Sequence, residues 1–69
     1  SVSGFVMDKV DTQQVLSVDF DAQRNDVEGT WRALYSAALT QGFTPTSRGY
    51  VIVHTRGGLR TEYQLVVTE

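Results

Sequence analysis

His54 is the only histidine in this 69-residue chain, and there is no cysteine. No histidine pair is therefore on hand to hold a metal, and any catalytic triad must use His54 with a serine or threonine as nucleophile. None of those hydroxyls sits in the glycine-flanked elbow that would expose and activate it. Asp19 and Asp21 point the same way from an alternating stretch, which suits a solvated outer face rather than an acid/base pair. The run DFDAQRND has the acidic start of a calcium loop, but Arg24 stands where the sharp turn needs glycine and Thr30 where the bidentate glutamate should be. Gly57-Gly58 lacks the strand-to-helix setting of a phosphate cradle. The expectation is no enzyme, no metal and no cofactor. His54 is expected to be a partly buried structural histidine on the core face, bonded to Thr61 or to backbone.

Charge is the next candidate for chemistry. Arg48, Arg56 and Arg60 border one predicted hairpin, yet the chain carries a net charge of −2, which argues against a general polyanion binder. The imbalance is uneven. Residues 1–28 hold six acids against Lys9 and Arg24, net −4, while residues 29–69 hold four arginines against Glu62 and Glu69, net +2. The halves complement each other, which suits a solvated surface that simply varies along the chain, head-to-tail pairing, or an acidic partner for the basic half.

These side chains need elements to position them. In residues 25–43, Val27, Trp31, Leu34, Tyr35 and Ala38 recur at helical spacing, while Glu28, Arg32, Ser36 and Thr40 fall on the far side. Asn25 as cap with Glu28 three places on predicts the start. Gly42 in the left-handed position, Phe43 folding back and then Pro45 predict the stop. Gly29, in the first turns, has the space to admit a close strand. Residues 1–9 and 14–21 read as a hairpin turning at Asp11-Thr12, with Met7 opposite Leu16 and Phe5 opposite Val18. Residues 44–48 read as a loop. Residues 49–55 and 59–68 read as a second hairpin turning at Gly57-Gly58, with Ile52 facing Tyr63, Tyr50 facing Leu65 and His54 facing Thr61 on the core side.

The predicted fold class is therefore α+β: a single small domain over residues 1–69, in the order β-β-α-β-β. Its four-stranded antiparallel sheet of two hairpins carries one amphipathic helix on one face. Such a chain has few means of stabilising itself without disulfide or metal, which favours self-association. Val6, Val15, Val51, Val53 and Val66 are predicted on the face away from the helix, an apolar set explained either by strand propensity alone or by a second copy or a partner that covers it. Trp31, Tyr35, Tyr50 and Tyr63 would line any small-ligand pocket between helix and sheet.

Two stretches resemble known families. Arg48-Gly49-Tyr50 resembles the opening of the RNA-binding strand of RRM domains, which implies a nucleic-acid role for the arginine hairpin. Residues 15–55 resemble a strand-helix-strand unit of the N-terminal domain of secretins and TonB-dependent receptors. The shared features are an amphipathic helix ending before Gly42-Phe43 and the G-x-V-I-V pattern at Gly49-Tyr50-Val51-Ile52-Val53; the resemblance covers no residue that carries function and implies an interaction module.

The expected function is a non-catalytic interaction or assembly module. It would self-associate as a dimer or larger homo-oligomer, or bind a protein partner, through a sheet face or edge strand, with Arg48, Arg56, Arg60, His54, Val51 and Val53 as contact residues. The alternative is a small nucleic-acid-binding or regulatory protein using the same arginines. No signal peptide or apolar run of membrane-spanning length is present, so a soluble chain without a membrane role is expected. Lack of cysteine suits the cytoplasm first and leaves the periplasm open.

Overall fold

Asp26 closes the N-terminus of the one helix among the described residues. In the computed structural model, which describes residues 2–69, its side chain accepts the Gly29 amide at 2.7 Å, and α1 runs Val27–Thr40. An aspartate in extended backbone satisfies a first-turn amide directly, so the cap falls at Asp26 and not at Asn25. The nearest neighbour of Gly29 is that same carboxylate and not a strand. The stop is as expected. Gly42 has φ 87°, the Gly42 amide bonds Leu39 O at 3.1 Å, and the Phe43 amide bonds Ala38 O at 2.9 Å. Together these make a complete Schellman turn that sends the chain back over the helix.

The sheet is four-stranded and antiparallel, in spatial order β1-β2-β4-β3. Its strands are β1 (Val6–Val10), β2 (Gln13–Phe20), β3 (Thr44–His54) and β4 (Arg60–Thr68). Of the predicted first strand, only the part from Val6 is extended and paired, and Ser1 lies outside the described residues. The central pair is β2 and β4, the two strands with consecutive buried residues, Val15 to Val18 and Tyr63 to Val67. A strand paired on both edges at the middle of the sheet is the one whose successive side chains can all be buried, Ser17 and Gln64 included.

Leu16, Val18, Tyr63, Leu65 and Val67 face α1, whose Leu34 and Ala38 complete the buried core. The buried helix stripe is centred on Thr30, Leu34 and Ala38, which leaves the predicted stripe members Val27 and Tyr35 at its exposed margin. Thr30 is accommodated because its hydroxyl donates to Asp26 O at 2.8 Å. Phe20, Tyr63 and Trp31 stack in sequence, with ring centroids 4.8 and 4.7 Å apart. This aromatic ladder ties the helix to the middle of the sheet.

The first hairpin has the predicted register. Met7 pairs with Leu16 and Val10 with Gln13, so Asp11 and Thr12 form the turn, and Asp11 takes the left-handed conformation at φ 57°, which aspartate tolerates better than most residues. In the second hairpin β3 is displaced by one residue. His54 pairs with Arg60, Ile52 with Glu62, Tyr50 with Gln64, and Val51 with Tyr63. The connection is thus the five residues 55–59 and not the two glycines alone. An odd loop in place of an even one exchanges the faces of a whole strand. Val51 and Val53 consequently lie on the helix side, and Tyr50, Ile52 and His54 on the open side, the reverse of the expected placement.

Residues 44–48, expected as a loop, belong to β3 as a bulge. Thr46, Ser47 and Arg48 together span the step that Val66 alone makes between Leu65 and Val67. Thr46 Oγ1 donates to Val66 O at 2.7 Å and Tyr35 OH to Thr46 O at 2.9 Å, so a side chain stands in for the interrupted ladder and the helix pins the bulge.

Candidate functional site

The outer strand β3 carries a run of four consecutive exposed apolar residues. Tyr50, Val51, Ile52 and Val53 are 36, 53, 36 and 58% exposed, and no Asp, Glu, Lys or Arg lies between Arg48 and Arg56. With β4 on one side only, alternate amides and carbonyls of residues 49–54 point away from the sheet with no strand to receive them. Apolar side chains on both faces of an edge, beside unpaired backbone donors and acceptors, make a template for another strand. Val51 and Val53 lie along this edge on the helix side, and not on the outer face where the sequence placed them.

Gly49 begins the regular part of the strand. A Cβ there would lie 2.9 Å from Gln64 O and 3.0 Å from the Trp31 ring. Only glycine lets the indole rest on the backbone. Above it lies a hollow of about 190 Å3 whose lining includes Trp31, Tyr35, Gly49 and Leu65.

The open face carries a polar network. His54 Nε2 is 2.9 Å from Glu62 Oε1, Gln64 Nε2 donates to Glu62 Oε2 at 3.0 Å, and Arg60 donates to Asp19 Oδ1 at 2.8 Å. The Gln64 amide holds the Glu62 carboxyl below its ordinary value; burial opposes this, while the bond to His54 reinforces it. His54 therefore bonds Glu62, and the expected partner Thr61 sits on the other face. Tyr50 OH donates to Gln13 Oε1 at 3.1 Å, a diagonal from β3 over β4 to β2. Val66 and Val15 are buried on this same face, which carries no helix. The diagonal removes Tyr50 from the expected pocket with Trp31, Tyr35 and Tyr63, where Trp31 and Tyr63 are occupied in stacking.

The arginines do not converge. Arg60 is held by Asp19, with Glu62 3.9 Å away; Arg32 pairs with Glu28 and Arg24 with Asp21. Arg48 and Arg56 make no ion pair among the described residues and stand at opposite ends of the apolar run, Arg48 in the bulge and Arg56 in the turn beyond the strand. A grip on a phosphate backbone needs several unneutralised cations on one track. Asp21, the second carboxylate of the rejected calcium run, accepts the Gln23 amide at 3.0 Å and so shapes the approach to the helix.

Tyr50, Ile52 and Glu62 were not legible as site residues. For Tyr50 and Ile52 the signal was present: a run from Gly49 to Val53 with no charge at either parity suits a strand with no single buried face. Among the described residues no helix is long and apolar enough to cross a membrane. No protein-family model, curated protein or solved structure matches this chain, so neither family resemblance in the sequence gains support.

Proposed function

We propose that this chain is a non-catalytic interaction module that joins another polypeptide by adding a strand along β3. One observation carries this: the uncharged edge from Gly49 to Val53, apolar on both faces and unpaired on its outer side. Main-chain hydrogen bonds supply affinity in such a union, and the alternating side chains supply selectivity. Arg48 and Arg56 bracket the edge and limit where a partner strand can start and end.

The test is a fluorescein-labelled, end-blocked peptide of residues 48–56, titrated with the intact protein by fluorescence anisotropy. Saturable binding that unlabelled peptide displaces, and that Val51→Lys/Val53→Lys in the protein abolishes, is the expected result. Equal binding by the lysine variant, or no binding by the parent, overturns the proposal.

A further inference from the structure

We infer that the strand received by β3 is the β3 of a second copy, running antiparallel about a two-fold axis through Val51. This rests on the strand-addition reading above and names its partner. Two-fold antiparallel pairing keeps both copies of a residue on one face of the joined sheet, so every such register centres on a single residue that meets itself. The sequence of the edge then decides which residue that is.

Centring on Ile52 carries Gly49 past the end of the strand to the partner's Thr55 in the connecting loop, and brings the two bracketing arginines, Arg48 and the partner's Arg56, to the same end. A centre at Val53 pairs Tyr50 with Arg56 in the connecting loop and runs out of strand at His54. With Val51 at the centre, Tyr50 meets the partner's Ile52 and Gly49 meets the partner's Val53. Arg48 then stands opposite the partner's His54, whose ring is 2.9 Å from the Glu62 carboxylate. A cation with no ion pair of its own thus comes beside an anion, twice by symmetry.

Shape agrees with charge. Gly49 leaves the hollow of about 190 Å3 beneath Trp31 and Tyr35, and in this register alone the partner's Val53 projects from the position facing it. Valine fills a space glycine leaves, against an indole edge, where it loses the 58% exposure it has in the single chain. Both helices lie on the same side of the resulting eight-stranded sheet, and the open faces run together.

Because the chain has no native cysteine, single substitutions report the register. Val51→Cys places two thiols directly opposite each other, within the Cα spacing of a disulfide. Val53→Cys places them about 13 Å apart along the strand. Under oxidised glutathione, Val51→Cys should form a covalent dimer at least about tenfold faster than Val53→Cys. A mixture of Tyr50→Cys and Ile52→Cys chains should give the mixed dimer in preference to either self-linked one. Equal rates at 51 and 53, faster linkage at 53, or no preference in the mixture overturns the register. If the labelled peptide binds while Val51→Cys stays monomeric, β3 still adds a strand but its partner is another protein. If neither occurs, the strand-addition reading fails with it.

Discussion

The sheet ends in two outer strands built differently from each other. β1 is five residues long and carries Asp8 and Lys9 in the middle of its edge. β3 is eleven residues long, and its charges sit only outside the run from Gly49 to Val53. Short length and inserted charge are common ways to make an edge refuse another strand. One edge of this molecule is thus protected and the other open, which points to controlled addition at β3 over indiscriminate stacking through both. A chain with two open edges would polymerise; one open edge, paired about a two-fold axis, closes at a dimer.

The contrast holds only if both edges hang on one cooperative centre. Leu16→Ala, which empties a fully buried site on β2, should cost about 2–5 kcal/mol. Chemical denaturation followed by Trp31 fluorescence and by far-ultraviolet circular dichroism should give coincident transitions. Separate transitions would mean that the two hairpins unfold independently and that their edges cannot be compared within one fold.

Smaller substitutions bear on how β3 is held. Gly49→Val should destabilise by about 1–3 kcal/mol, because the new side chain meets Gln64 O and the Trp31 ring. An unchanged melting temperature would show that the indole does not rest on this strand. Gly42→Ala should cost about 1 kcal/mol through the left-handed cap at φ 87° that aims the chain into β3; thermal melting checks it.

The face exchange of the second hairpin shows where sequence reasoning reached and where it stopped. The helix, its stop at Gly42, the order of elements and the first register were all legible, because each is set by local spacing or by one turn of fixed length. The start slipped from Asn25 to Asp26, since either side chain can cap. In β3, Tyr50, Val51, Ile52 and Val53 are all apolar, so alternation gave no phase and the loop length alone decided the register. Gly57-Gly58 suggested an even loop, and the five-residue connection turned His54 from Thr61 towards Glu62. A strand with no polar phase is also a strand with no single inner face. The same property that hid its register left its edge exposed.

Two further substitutions sharpen the contrast with effects smaller still on stability. Val53→Lys and Val6→Lys replace exposed valines on the two edges, and each should change stability by less than about 0.5 kcal/mol. Only Val53→Lys should alter strand capture; a loss of capture with Val6→Lys would assign the function to the wrong edge. The Glu62 bond that bridges β3 to β4 through His54 has a pH signature. A carboxyl held below its ordinary value in the folded state stabilises that state above its unfolded pKa, and the contribution is lost as pH falls through the folded value. Between neutral pH and about pH 3 the parent should therefore lose more unfolding free energy than Glu62→Gln. Equal losses in denaturant melts would contradict the bridge.

Sedimentation equilibrium at low and high salt, on protein free of nucleic acid, tests the account most directly. A dimer that persists at both salt concentrations and in Val6→Lys, but becomes monomeric in Val51→Lys/Val53→Lys with its circular dichroism unchanged, is the predicted result. A parent chain that is monomeric at every concentration, or a dimer that survives both lysines, would contradict it.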